Sequence, residues 1–374
     1  MIIGIDGNEA NIEHKVGIGE YAYQLLCQFH KIATQRKDLQ FKIYLKFAPR
    51  VEMPVPTENW HYQIVGPEKF WTQIGLPFRL ITETKKPDIF FSPSHYAPRF
   101  SPIPTAISIM DLSYIHFPEL FTKHDLYQLV NWTKYSAKNA YKIFTISNFS
   151  RDDIIKTYGK NSKDVVNTYL GVKPVNSSKV HKVESMEDLK KKFGIDSKYV
   201  LFVGTLQPRK NIAKLIEAFS KIKTKNIKLI IVGKKGWLWE EIIQAPEKYG
   251  IAERVKFLDF VTDQDLPSLY KNAECFVLPS LYEGFGLPVL EAMQYGCPVL
   301  VSNVSSLPEV GGDACLYFDP ENADEIAQKI DLVISDEKQR KEMIEKGKIQ
   351  VKKFSWEKTA KQTLQVLEEL AKKA

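Results

Sequence analysis

The chain has no uninterrupted apolar run near the roughly 20 residues that a membrane-crossing helix needs. Its opening, Met1-Ile-Ile-Gly-Ile-Asp6, reads as a strand that begins at once, with neither a basic segment nor a cleavage site. The expectation is a cytoplasmic protein without a secretory leader, at most peripheral at the inner face of the cell membrane. The sequons at Asn131, Asn148, Asn176 and Asn303 then read as chance matches. Cysteine is scarce. Cys27, Cys275, Cys297 and Cys315 are scattered through apolar runs, which excludes a disulfide framework and a zinc spacing and suggests buried thiols in a reducing compartment. The seven histidines show no ligand spacing. Gly-x-Gly-x-x-Gly is missing too: Gly17-Ile-Gly19 is followed by Ala22, and no acidic ribose-binding residue is evident, which counts against a dinucleotide-dependent oxidoreductase. Excess charge is small. The 52 basic and 45 acidic residues leave +7, compatible with an anionic ligand or membrane surface and too little for nucleic acid.

What the chain does contain is alternation. Its 374 residues favour two domains. Candidate strands fall at 2–6, 42–47, 62–65, 88–92, 105–110, 142–147 and 165–170, then at 199–204, 228–233, 255–260, 275–279, 298–302 and 315–318. Helical patterns separate most of them, at 18–33, 68–84, 121–139, 149–158, 211–222, 238–249 and 265–272. Another helix, 186–193, precedes the second series, and a last one runs from Trp356 to about Lys372. Strand–helix alternation predicts parallel sheets covered on both faces. The fold class is therefore α/β, with two doubly wound, Rossmann-like parallel-sheet domains, and the break falls in the polar stretch 171–178. Ligands of such sheets bind outside the carboxyl ends of the strands, so the expected site is a cleft between the domains, lined by the loops that follow strands.

One of those loops organises the rest. A strand ends at Pro279, and Glu283-Gly-Phe-Gly286 turns into a short helical pattern that carries Pro288 at its start and Gly296 past its end. Gly284, Phe285, Gly286 and Leu287 should present backbone amides at a helix N-terminus, which suits an anion. Glu283 and Glu291 bracket them and would accept from hydroxyls. A nucleotide-sugar carries both kinds of group. Read singly, either Glu is equally well explained by dipole preference.

In the second such loop, Val200-Leu-Phe-Val-Gly-Thr-Leu-Gln-Pro-Arg-Lys-Asn211, a strand ends at Gly204 and Arg209 and Lys210 enter a helix start. Cations there oppose the dipole and make sense against a diphosphate, or as a solvated surface pair. Asp111 ends the strand Thr105-Ala-Ile-Ser-Ile-Met-Asp111 and could act on a hydroxyl or cap the next turn. Asp263-Gln-Asp265 is read as part of a capping box from Thr262, and a metal is rejected there. The mixed basic and aromatic segments at 69–79 and 121–142 are read as core faces with solvated lysines, an anionic membrane being the alternative.

Taken together, these stretches resemble the retaining glycosyltransferases of family 4, which have the GT-B fold. The resemblance spans nearly the whole chain. It rests on Tyr282-Glu-Gly-Phe-Gly-Leu-Pro-Val-Leu-Glu-Ala292, on Phe202 to Asn211, on Ser147-Asn-Phe-Ser-Arg151, on Ser302 to Glu309 and on Phe354-Ser-Trp356. In flavour it is nearest the mannosyltransferases of bacterial surface polysaccharides. It implies an N-terminal acceptor-side domain (1–174), a C-terminal donor domain (175–354) and a final helix (355–374) that crosses back to the first. It implies a nucleotide-sugar donor, GDP-mannose as first choice and a UDP-sugar as alternative, with a glycan or lipid-linked saccharide as acceptor and no cofactor or metal. Arg209 and Lys210 would hold the donor diphosphate, Glu291 the ribose hydroxyls and Glu283 the sugar. The amides of Phe285, Gly286 and Leu287 would meet sugar and phosphate, Gly17 and Gly19 would approach the diphosphate from the other domain, and Phe260 and Val261 would flank the base. Gly204 ends the strand that carries the cations. Domain closure would exclude water.

The resemblance breaks at one place. Where the family usually has His-Asp, this chain has Met110-Asp111, and Val16 replaces the first glycine of a Gly-Gly-x-Gly loop. Either Asp111, His95 or His116 then serves the acceptor, or the protein binds nucleotide-sugars with impaired or no transfer.

Overall fold

The computed structural model describes residues 1–173, 185–259 and 261–373. The chain divides into two compact units, Met1–Gly171 with Ser355–Ala374, and Val172–Phe354. Residues 174–178 of the expected break lie outside the described residues.

The first unit is built on a seven-stranded sheet ordered β3-β2-β1-β4-β5-β6-β7: β1 (Ile2–Asp6), β2 (Gln40–Leu45), β3 (Trp60–Ile64), β4 (Ile89–Ser92), β5 (Thr105–Ser108), β6 (Lys142–Thr145) and β7 (Val165–Asn167). The second holds six strands ordered β10-β9-β8-β11-β12-β13: β8 (Tyr199–Val203), β9 (Lys228–Val232), β10 (Val255–Leu258), β11 (Cys275–Leu278), β12 (Val299–Ser302) and β13 (Cys315–Phe318). All pairings within both sheets are parallel. Every expected strand is present, displaced by a few residues at its ends. Central strands are buried throughout, as in Ile2–Asp6, Ile89–Ser92 and Cys275–Leu278, because helices cover both faces. The edge strands Trp60–Ile64 and Val255–Leu258 keep exposed or half-buried positions.

Caps set several helix starts. Ser147 accepts from the Ser150 amide, Ser185 and Asp188 form a reciprocal capping box, and Ser355 accepts from the Lys358 amide. Helix Trp356–Ala371 belongs to the first unit. Its Trp356 ring lies 6.4 Å from Tyr21 and its Glu368 pairs with Arg36 at 3.1 Å. Two further helices, Ala323–Ser335 and Glu337–Val351, were not foreseen; the second has only three buried residues and hence a weak apolar period.

Two expectations fail. Thr262 and Asp265 make no capping box: the Asp265 amide goes to the Thr262 carbonyl, the Asp265 carboxylate pairs with Lys192, and Asp265 itself is the N-cap of Leu266–Asn272. Nor is 69–79 a core face throughout, since Phe70, Ile74 and Phe78 are exposed while Trp71, Leu76 and Leu80 are buried.

Candidate functional site

In each sheet the strand order reverses beside its first strand, between β1 and β4 and between β8 and β11. At such a switch point adjacent loops leave in opposite directions and open a crevice at the carboxyl ends. Both units carry their chemistry there.

In the second unit, the chain leaving β8 forms the turn Pro208–Lys210 and enters helix Ile212–Lys221 through Asn211, which has a left-handed φ of 56°. Asn211 Nδ2 donates to the carbonyls of Pro279 (3.1 Å) and Pro320 (2.8 Å), and the Leu281 amide donates to the Arg209 carbonyl at 2.9 Å. The loop after β8 is thus laced to the loop after β11. The lacing brings two cations onto one carboxylate. Lys210 Nζ lies 2.6 Å from Glu283 Oε1, and Arg209 Nη1 lies 3.4 Å from Oε2 while also donating to the Tyr282 carbonyl. Ser280 Oγ donates to Glu283 Oε1 at 2.6 Å. The Glu283 backbone is held as well, its amide donating to Ser305 Oγ at 2.9 Å and its carbonyl accepting from Ser306 Oγ at 2.8 Å.

Glu283 is buried, at 6% exposure. Burial alone would push its carboxyl up, but Lys210, Arg209 and the Ser280 bond outweigh it and hold the group down at about 2. Glu283 is therefore an anion at neutral pH. Two cations converge at the end of a parallel sheet beside a helix N-terminus, an arrangement that suits a phosphate group. Gln207, in the same loop, has a buried side-chain oxygen without a hydrogen-bond partner.

Gly286, at a left-handed φ of 97°, is the N-cap of helix Leu287–Gln294. The left-handed backbone favours glycine there, and a Cβ would lie 2.8 Å from Leu307 Cδ2, which would have to shift. Phe285 is buried edge-on against Phe354, with ring centroids 5.7 Å apart, so only its backbone faces the loop's chemistry. Leu287 and Glu291 are half-buried. Tyr270 donates its hydroxyl to Glu291 Oε2 at 3.1 Å and stacks on Tyr295. Burial, and then the neighbouring Glu291, push the Tyr270 phenol well above its ordinary range, so it stays a donor. Gly204 directly follows β8 and lies beside Lys210, and Val261 is buried. Phe260 lies outside the described residues. Tyr270, Ser305, Ser306 and Asn211 were not foreseen as positioning groups. Ser280 was legible in principle, standing three residues before Glu283 in a Ser-x-x-Glu spacing.

In the first unit a cavity of about 390 Å³ opens at the carboxyl ends of β1, β2 and β4. Asp6, Glu9 and Lys46 are among its polar lining, and Trp71, Tyr96 and Trp132 among its aromatic lining. Tyr96 and Trp132 meet edge to face at 5.6 Å. Asp6 is buried and pushed up to about 6 by desolvation, against the opposing bonds from the Asn8 amide and side chain. Gly17 is the N-cap of helix Ile18–Gln35 at a φ of 52°, with open space where a side chain would stand, while Gly19 abuts Ile12 and the Glu9 carbonyl.

Asp111 accepts from the Ser113 amide at 2.9 Å. The Met110 amide donates to His95 Nε2 at 3.4 Å, and His95 Nδ1 is buried without a partner. Burial, against the pull of Asp111, lowers His95 to about 4, so its ring is neutral. His116 instead faces Asp153 at 2.7 Å. Of the three alternatives weighed for the missing histidine, Asp111 and His95 are neighbours and His116 has a different partner. Among the described residues, no cluster of three or more His, Cys, Asp or Glu could hold a metal ion, and no helix is long and apolar enough to cross a membrane.

Comparison with known proteins follows the same lines. Residues 185–350 match the family model described as glycosyl transferases group 1. O-antigen chain mannosyltransferase B of Escherichia coli is 36% identical over 282 residues, 74% of this chain and 73% of that protein. The serotype-specific mannosyltransferase WbdA of Escherichia coli is 32% identical over 257 residues, 63% of this chain, but the match spans only 32% of that longer protein. A sucrose-phosphate synthase from Thermosynechococcus elongatus superposes over the full length of both chains with a TM-score of 0.76 at 18% identity, a likeness of fold.

Proposed function

The chain belongs to the group 1 glycosyl transferases, and on that premise we propose that it transfers mannose from GDP-mannose, with retention and without a metal, to a hydroxyl of a glycan or lipid-linked saccharide in the assembly of a surface polysaccharide. The observation that carries this reading is the buried Glu283 carboxylate with Arg209 and Lys210 upon it, at the switch point of the second sheet. The sugar is argued from the similarity to O-antigen chain mannosyltransferase B.

Arg209 and Lys210 bind the donor diphosphate. As the bond from the anomeric carbon to the phosphate oxygen breaks, negative charge grows on the departing diphosphate and positive charge on the sugar ring. Two fixed cations in a partly buried site stabilise the former, an electrostatic contribution of oxyanion-hole type. They take the charge-neutralising role that a metal fills in other transferases. The Glu283 carboxylate faces the sugar and Glu291, oriented by Tyr270, takes the ribose hydroxyls. The backbone amides around Gly286 meet sugar and phosphate. The acceptor is assigned to the cavity of the first unit. There the aromatic faces of Tyr96 and Trp132 suit the C–H faces of a pyranose, and Asp6, Glu9 and Lys46 suit its hydroxyls. Asp111 and the neutral His95 are the groups offered to the acceptor's proton.

The test is release of GDP from GDP-mannose in the presence of saccharide acceptors, beside a panel of UDP-sugars. Arg209→Ala should mainly lower turnover, and Glu291→Ala should weaken donor binding. Unaltered turnover in both variants rules the assignment out. Met110 favours a second reading, a nucleotide-sugar binder without transfer. Met110→His separates the two: transfer that appears only in that variant supports the binder, and robust transfer by the parent chain excludes it.

A further inference from the structure

The cavity of the first unit holds a buried acid that the protein's own contacts leave half used. Asp6 ends β1 and is 6% exposed. Its Oδ1 accepts two bonds from one residue, from the Asn8 amide at 3.0 Å and from Asn8 Nδ2 at 2.7 Å. Asn8 is fixed in turn, because its Oδ1 accepts from the Lys46 amide at 2.8 Å. Gly7, between them, donates its amide to the Tyr44 carbonyl at 3.0 Å, and a Cβ on it would lie 2.5 Å from Ile43 Cγ2. The loops after β1 and β2 thus hold the Asp6 carboxyl in one orientation. Among the described residues, none donates to Oδ2. That oxygen is not sealed within protein, and the space beside Asp6 is the cavity of about 390 Å³ that it lines.

A carboxyl placed in this way costs stability. Burial raises it to about 6, so at neutral pH the folded chain carries an anion that its surroundings disfavour. Asparagine would offer Asn8 the same acceptor without the charge. The charge and the open oxygen make sense against a group that enters the cavity and donates to them, since local rules of burial are broken chiefly at functional positions. The field at Asp6 narrows the choice. Of the two neighbouring charges that act on it, Glu9 outweighs Lys46, so an anion is disfavoured there. The aromatic walls formed by Tyr96 and Trp132 suit the C–H faces of a sugar ring.

We propose that Asp6 determines acceptor specificity: its Oδ2 accepts a hydrogen bond from one hydroxyl of a neutral pyranose lying on Tyr96 and Trp132, so the cavity selects that sugar over its deoxy and uronic acid counterparts. The assignment rests on placing the acceptor in this cavity. A hydrogen bond to a charged group corresponds to roughly a tenfold to hundredfold gain in affinity. A site built around such a bond rejects the analogue that lacks the hydroxyl, because the buried acceptor is then left unpaired.

Saturation-transfer NMR titration of the full chain at pH 8, where the Asp6 carboxyl is ionised, tests this. The probes are methyl glycosides of mannose, glucose, galactose, glucuronic acid and glucosamine, with the monodeoxy forms of whichever neutral sugar binds most tightly. In the parent, loss of one hydroxyl should weaken binding about tenfold to a hundredfold, and the glucuronide should bind more weakly than the glucoside. In Asp6→Asn, which keeps an acceptor for Asn8, this hydroxy-to-deoxy ratio should fall severalfold, and in Asp6→Ala it should fall to near one. Asp6→Asn should gain thermal stability at the same pH, whereas an acid serving structure alone would lose stability on substitution and move all the sugars alike. No donor is present, so the titrations read the cavity apart from transfer. Binding with equal ratios in the parent and both variants overturns the proposal alone. Failure of every sugar to bind overturns it together with the placing of the acceptor in this cavity. Tighter binding of the glucosaminide than of every neutral sugar also overturns it, because the cavity is then a cation site.

Discussion

Replacing Glu283 by glutamine should make the protein less stable and its hold on a nucleoside diphosphate tighter. The carboxyl is held down at about 2 from an ordinary 4.5, despite burial that would raise it. That difference corresponds to about 3 kcal/mol of net favourable interaction in the ionised form. The sign follows from the direction: a depressed folded value means stabilisation present above pH 4.5 and lost as the pH falls through about 2. Glutamine keeps an oxygen for Ser280 but removes the negative charge that faces Lys210 and Arg209, two partly buried cations. At neutral pH the loss of about 3 kcal/mol should lower the melting temperature by roughly 6–12 °C for a unit of this size. With the carboxylate's charge gone, the site should bind GDP at least about tenfold more tightly, since a like charge beside a phosphate costs on the order of 1–4 kcal/mol at an effective dielectric near 20. Transfer should nevertheless fall, because Glu283 is assigned to the sugar. Thermal unfolding with and without GDP, calorimetric titration and a GDP-release assay read the three effects. An unaltered melting temperature together with GDP affinity equal to or weaker than the parent's would refute the reasoning.

Other consequences are narrower. Tyr270→Phe removes the hydroxyl that orients Glu291, and GDP binding should weaken about fivefold, the worth of roughly 1 kcal/mol; calorimetry with GDP and with inorganic diphosphate locates the loss on the nucleoside. Gly286→Ala forces a side chain onto a left-handed backbone against Leu307, which should cost about 1–3 kcal/mol in urea unfolding and weaken donor binding. Asp6→Asn should stabilise the protein at pH 8 and leave it unchanged at pH 3. Burial raises the Asp6 carboxyl from 3.8 to about 6, so its stabilising contribution is complete below 3.8 and lost as the pH rises through 6, a cost of about 3 kcal/mol that asparagine avoids. Unfolding at the two pH values measures it, and equal effects at both would contradict the assignment of burial as the cause.

Much of the architecture is legible in one dimension because its causes are local or periodic. Buried parallel strands are short continuous apolar runs, and thirteen of them bounded by turn residues define two sheets. The residues proposed for the donor side are candidates for a related reason: loops at the carboxyl ends of parallel strands are where such sheets hold ligands, so Arg209, Lys210 and Glu283 stand out after strands and Glu291 in the helix that follows, while their roles come from the family resemblance. Helices with little apolar period, such as Glu337–Val351, escape that reading.

Contacts distant in sequence are a different matter. That Lys210 and Glu283, 73 residues apart, close to 2.6 Å depends on β8 and β11 being neighbours in the sheet and on Asn211 pinning one loop to the other. That Tyr270 sets Glu291, and that His95 lies against the backbone of Met110, likewise follows from packing. Solvent exposure has the same origin. The mixed segment around Phe70 has the composition of a core face, and only the placement of its helix beside the edge strand decides that Trp71 and Leu80 go in while Phe70, Ile74 and Phe78 stay out. The sequence determines which side chains lie on each face of an element, because backbone period is local. Which face finds a partner is settled by the rest of the chain, because burial is a property of neighbours.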